Sequence, residues 1–463
     1  MSAKIERRKL KEAKELHKWQ NVKKVYSGYL FIMIALMCIV RALDEFKSNV
    51  GATIQSWLVN EFIVIPQGVT FAGGLSTWGL ITTGMLVFSI LAVFYLALAD
   101  RFGRKKLLVI SVFGMSIGML ISFSAPSLPV FLIGNAIITF FVATDVHGIY
   151  VMEIAPDDRR ATYLQLTSFF GQIGIFLIAL SRFLYTVDDV LNWRMLYLAP
   201  GIIALVVGVA LIFTARETDV FKKKRIDYLS KPLEERLIEE EAAKKEKKVN
   251  ADKQGIGAAF RYIFSHKQTK GNILATVPQL LAIMAFVGYT ESIMATNNMT
   301  TSQVNIALLM VPLAAAVVSI MTGILSDKIG RRPTSIITSV MAVIAFVGFI
   351  LAVQNGLNPY LVGIIYGLGN GAFFRYGDTL GLQRLESVPT HIRASVASAF
   401  GLIATIVALV SGIVLSIFIG MFDLGTLVMI WVAIALSISA ILNFILVKET
   451  MGIDLNNIES VIK

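Results

Sequence analysis

The sequence predicts an all-α membrane protein: twelve transmembrane helices in two six-helix bundles related by a pseudo-twofold axis along the membrane normal. Three observations carry this expectation. The 463 residues are 56% hydrophobic and only 16% charged, too little polar surface to cover a soluble globule of this size. The apolar residues fall in runs of roughly 20, the length a helix needs to cross a bilayer. Three short motifs also occur twice in the same order, at offsets of 227, 233 and 232 residues.

The chain opens with a charged segment, 1–26, in which Met1 to Lys24 hold nine Lys/Arg; it shows no small-residue cleavage pattern, so a removable signal peptide is not expected. Apolar windows then place six spans at 27–48, 72–98, 107–126, 128–152, 162–185 and 196–215, making a first bundle, 27–215. Six more follow at 273–293, 303–326, 334–353, 358–384, 395–420 and 424–447, making a second bundle, 273–447, and a tail, 448–463. Lys/Arg are absent from 48–100, 293–303, 352–359 and 416–430, whereas 101–106, 159–160, 221–272, 328–332 and 448 are basic. The positive-inside rule therefore puts both termini and the linker in the cytoplasm of a multi-pass cell-membrane protein, expected to be a monomer. The net charge of +11 is a topology signal, and no basic groove with interleaved aromatics points to nucleic acid.

The linker, 216–272, carries Lys222-Lys-Lys-Arg225, Glu234 to Glu241 and Lys244 to Lys248. Opposite charges at helical spacing predict short surface helices, with a partly disordered tether as the alternative. A linker of this length and charge holds no room for a sensor domain, and no nucleophile–base set or metal-spaced cluster points to an enzyme. The single cysteine, Cys38, sits in an apolar run and reads as a packed core residue, so neither disulfide nor metal is expected.

The repeated motifs are Asp100-Arg-Phe-Gly-Arg-Lys105 with Asp327-Lys-Ile-Gly-Arg-Arg332, Glu153 to Arg160 with Glu386 to Arg393, and Glu217-Thr218 with Glu449-Thr450. Each half holds an even number of spans, so both copies insert the same way round. This pattern resembles the major facilitator superfamily, nearest its sugar porter and metabolite:proton symporter branches, across nearly the whole chain. The resemblance implies a transporter working by alternating access, with a cavity lined by spans 1, 4, 7 and 10. Asp100, Arg101, Gly103, Arg104, Glu153 and Arg160, with Asp327, Gly330, Arg331, Glu386 and Arg393, are then expected to gate it. Carboxylates there face arginines or helix N-termini, and Gly103 and Gly330 permit a tight turn. The usual Gly four residues before the loop Asp is present as Gly323 but replaced by Leu96 in the first copy.

An ionisable residue inside a span costs roughly 2.5–3.5 kcal/mol on insertion scales, so each is a candidate site. The set is Arg41, Asp44 and Glu45 in span 1, Asp145 and His147 in span 4, Glu291 in span 7, and Arg375 with Asp378 in span 10. Arg41 and Asp44, like Arg375 and Asp378, stand one helical turn apart, close enough to bond. A desolvated carboxylate beside an arginine is balanced to take and release a proton, and releasing its arginine leaves a two-pronged grip for an anion. Asp44, Glu45, Asp145 and Asp378 are therefore expected to couple protons, and Arg41 and Arg375 to hold substrate. His147, Glu291, Gln279, Gln172 and Tyr376 complete the candidate binding set, with a packed role as the alternative for His147 and Tyr376 and a gate role for Glu291. Structural ion pairing is the plain alternative for the Arg–Asp turns. Gly367, Gly369, Gly371 and Gly377 predict either close helix packing or a helix break that serves a ligand. The resemblance implies an Arg in span 4 and paired Gln in span 7 for a sugar porter and a Gly-Pro motif in span 5 for a drug exporter; here span 4 lacks an Arg, span 7 offers only Gln279 and Thr167 to Gly174 hold no Pro, so neither is the expected reading. The expected activity is proton-coupled uptake of a small organic anion, needing no cofactor beyond the proton. A sugar or polyol porter is the alternative and an organic cation carrier the third.

Overall fold

The computed structural model describes residues 12, 13, 15–17, 28–97, 102–142, 146–156, 159–232, 235 and 256–451. Asp100, Arg101, Asp145 and the charged run from Glu234 to Lys248 fall outside this description, apart from the helical Glu235, and so does the side chain of Arg160.

Over its described residues, every expected span is helical. The first half holds α1 (Tyr29–Thr53), α2 (Phe71–Ala97), α3 (Arg104–Ser124), α4 (Leu128–Val142) with α5 (Val146–Ile154), α6 (Arg160–Leu184) and α7 (Met195–Thr214). Among the described linker residues α8 (Asp219–Ser230) and α9 (Ile256–Ser265) follow. The second half holds α10 (Lys267–Gly288) with the short α11 (Thr290–Thr296), α12 (Thr301–Ile329), α13 (Arg331–Gln354), α14 (Pro359–Glu386), α15 (Thr390–Ile419) and α16 (Leu424–Leu446). Among the described residues ten helices are long and apolar enough to cross a membrane. The other two, α1 and α14, are 25 and 28 residues long and carry Arg41, Asp44 and Glu45, and Arg375 with Asp378.

Local chemistry sets the helix starts. Thr300 and Gln303 form a capping box at α12, Asn358 caps α14 with Pro359 in its first turn, and the Asp423 carboxylate accepts from Thr426 N–H at α16. Helix α10 begins earlier than its apolar window because its polar residues are buried with partners. Gln268 bonds the Lys448 backbone in both directions, and Asn272 donates to the Leu380 carbonyl at 2.9 Å. After α6 a small hairpin pairs Thr186–Val187 with Val190–Leu191. Its two-residue turn is Asp188-Asp189, both at positive φ.

Contacts divide the chain into two compact units: 1–48, 87–175 and 197–250, and 49–86, 176–196 and 251–463. The first is built on Met33, Met37, Leu107, Val112, Met115, Tyr150 and Leu211, with Cys38 buried among them as expected. In the second, Gly363, Gly367 and Gly371 present one face of α14 to α12. A side chain at each would run into the backbone of Ala307, Val311 or Ala315, and Gly369 meets Ala345 of α13. These glycines therefore serve packing in an unbroken helix. Leu313, Val317, Ile320, Met321 and Ile324 form an exposed apolar stripe on α12, as a lipid-facing helix requires.

Candidate functional site

The repeated motifs assemble into one constellation in each unit. In the first, Gly103 takes φ 97° and breaks the chain between α2 and α3. The N-terminus of α3 is then capped by the Glu217 carboxylate, which accepts from Arg104 N at 2.7 Å and Lys105 N at 3.2 Å. Thr218 gives its hydroxyl to Glu153 at 2.5 Å, and the Arg104 guanidinium meets the same carboxylate at 2.9 Å. The second unit repeats this: Gly330 at φ 102°, Glu449 accepting from Arg331 N and Arg332 N at 2.9 Å each, and Thr450 donating to Glu386 at 2.6 Å. The copies differ at the arginine. Arg331 turns to Asp327 at 2.8 Å and stays 3.6 Å from Glu386, while Arg393 bonds the Val388 carbonyl of its own turn. The glutamate and threonine of the two Glu-Thr pairs were legible only as repeat markers; their role as caps needs the fold.

Glu449 also accepts from Thr450 and Met451 N–H. Partial burial raises its pKa, but the four backbone donors outweigh this and hold the carboxyl below its ordinary value. A depressed folded-state pKa stabilises at every pH above the unfolded value and is lost as pH falls through the folded one. The thermal stability gap between wild type and Glu449→Gln is therefore expected to be full at neutral pH and to close only below about pH 4. An unchanging gap on acidification would show that the charge has no part in the cap.

In α1 the Arg41 guanidinium reaches Asp44 at 3.2 Å and Glu45 at 2.6 Å. Gly171 and Gly174 of α6 allow this close approach: a Cβ at Gly171 would lie 3.0 Å from Glu45 Cγ, and one at Gly174 would overlap the Ala42 carbonyl. One turn further, Lys47 is buried with its ammonium 4.7 Å from the ring centre of Tyr197. The other expected pair, Arg375–Asp378, is formed at 2.8 Å on an exposed face of α14. Gln279 lies against Gly377, Gln172 is exposed beside Gly171, and His147 is buried in α5. Tyr376 is fully buried, its hydroxyl bonded to Ser439, which in turn donates to the Ala275 carbonyl.

A second charged centre, in the second unit, joins the expected Glu291 to Arg182, which sequence reasoning missed. Arg182 and Glu291 are 1% and 2% exposed and stand 4.0 Å apart. Glu291 accepts from Ser56 twice, from its N–H at 2.8 Å and its hydroxyl at 2.5 Å. Arg182 donates to Asn305 at 2.7 Å and to the Thr53 carbonyl. Beside the pair opens a cavity of about 470 Å³ walled by Ser56, Trp57, Asn60, Phe71, Thr296 and Met299. A π-helical turn, Asn60–Val64, sets Asn60 into that wall.

A sequence profile of the Major Facilitator Superfamily matches residues 25–412. The chain belongs to that superfamily. It is a membrane transporter of small molecules rather than an enzyme, and it shares the twelve-helix, two-bundle fold. Among relatives of this facilitator, a probable metabolite transport protein, CsbC of Bacillus subtilis, is 22% identical over 83% of this chain and 87% of its own. The alpha-ketoglutarate permease of Escherichia coli is 24% identical over 72% and 74%. The solved inward open conformation of the xylose transporter XylE from E. coli superposes with TM-score 0.69 over 94% of this chain and 100% of its own, at 18% identity.

Proposed function

We propose that this facilitator is a monomeric cell-membrane symporter that couples entry of protons to uptake of a small organic anion. The supporting observation is Arg41, a guanidinium clasped by two carboxylates of its own helix, one of them nearly buried. Protonating Asp44 or Glu45 removes the charge that holds Arg41 and leaves its fork free for a carboxylate or phosphate. Arg375, bonded to Asp378, offers the same chemistry on α14. Asp145 and Asp378 are proposed as further proton carriers. His147, Gln172, Gln279, Glu291 and Tyr376 are proposed as further substrate contacts, and the two motif constellations as gates. A relative named as an alpha-ketoglutarate permease supports the anionic reading. A sugar or polyol reading is favoured by the XylE match.

Uptake into proteoliposomes under an imposed pH gradient, with di- and monocarboxylates, xylose, a polyol and an organic cation, tests the proposal. Acid-stimulated accumulation of a carboxylate is expected. Asp44→Asn with Glu45→Gln should cut it by about tenfold or more, equivalent to about 1.4 kcal/mol. Concentrative uptake by that double variant at wild-type level would remove the coupling assignment, and xylose uptake without carboxylate uptake would favour the second reading.

A further inference from the structure

We propose that Glu291 is a proton-binding group of the transport cycle, reached from the cavity beside it, whose charge holds the ends of α1 and α6 to α11. This rests on the symport reading and adds a proton site apart from the carboxylates of α1. The geometry is that of a conditional tie. Two opposite charges are excluded from solvent yet do not form a tight two-pronged pair: 4.0 Å separates them, and Arg182 gives its hydrogen bonds to Asn305 and Thr53. Glu291 instead holds Ser56, just past α1, by two bonds, and the neighbouring Ser292 hydroxyl reaches Gln55 at 2.7 Å. Glu291 meets Arg182 of α6 and Ser56 beyond α1, and the cavity it borders is further lined by Asn60, Phe71 of α2 and Thr301 with Val304 of α12. From α14, Tyr366 gives its hydroxyl to the Phe286 carbonyl. Arg182 is the one charged group among them.

Taking a proton from cavity water neutralises Glu291. That leaves the Arg182 guanidinium buried without a counter-charge, the arrangement that breaking a buried pair makes most unfavourable. The closed contact of these segments therefore holds while Glu291 is charged and loosens when it is protonated. The connections 48–71 and 296–301 lack Lys/Arg, which the positive-inside rule assigns to the outer face, so the proton arrives from outside.

The test uses Thr296→Cys as a reporter in the cavity wall, with the single native cysteine removed as Cys38→Ser. A membrane-impermeant methanethiosulfonate is applied from either side between about pH 5 and 8. Rates are divided by those of the same reporter in Glu291→Gln, and separately by those of free glutathione, which removes the thiol's own titration. The normalised rate from outside is expected to rise about fivefold as the pH falls. A flat normalised profile against glutathione overturns the inference whether or not Glu291→Gln folds. Labelling needs no transported solute, so the result stands even if no carboxylate is taken up, the outcome that would defeat the symport reading alone.

Discussion

Arg182→Leu is expected to destabilise the purified protein by about 3–5 kcal/mol, the range for stripping one partner from a buried ion pair. The loss has a specific origin: Glu291 would keep its charge in a dry setting, while Asn305 Oδ1 and the Thr53 carbonyl would lose their donor. Adding Glu291→Gln should restore part of it, because a neutral amide still bonds Ser56 and needs no counter-charge. The double variant is thus expected to be more stable than the two single losses added together. Thermal unfolding in detergent reads all three. If Arg182→Leu unfolds within about 0.5 kcal/mol of wild type, the pair has no structural weight.

The second large effect concerns Gly174. Even one methyl group there would overlap the Ala42 carbonyl, which is backbone and has no rotamer by which to move. Gly174→Ala is therefore expected to force α6 away from α1 and reduce folded protein several-fold, at a cost of about 1–3 kcal/mol for overpacking. Gly171→Ala, which would press on the Glu45 and Arg41 side chains, should fold better, since side chains give way. Gly401→Ala, with open space around it, should match wild type. Comparable yields of monodisperse protein for Gly174→Ala and Gly401→Ala would refute the close contact.

What was legible from the sequence followed length and repetition. The spans could be read because a bilayer demands long apolar helices, and the paired motifs announced the duplication before any packing was known. The pairing of Arg41 with Asp44 and of Arg375 with Asp378 followed from helical spacing alone. Arg182 was missed because it sits in the last turn of an apolar run, where a basic residue reads as an interfacial flank; its partner lies 109 positions away. Gln268 and Asn272 read as linker because polarity signals solvent unless partners are known, and theirs stand on α14 and in the tail. The Glu-Thr pairs were visible as text, yet their capping of α3 and α13 depends on long-range closure that periodicity does not encode.

The glycine face of α14 bears on how the second unit can deform. Where main chain rests on main chain at four-residue intervals, no side-chain hop can absorb a sliding motion. Helices α12 and α14 are thereby fused into a single strut, and any displacement that carries Arg375 and Asp378 must drag the Asp327 turn at the foot of α12 along with it. A spin-label pair placed across the two helices should keep a fixed separation through turnover, while labels set elsewhere report the movement.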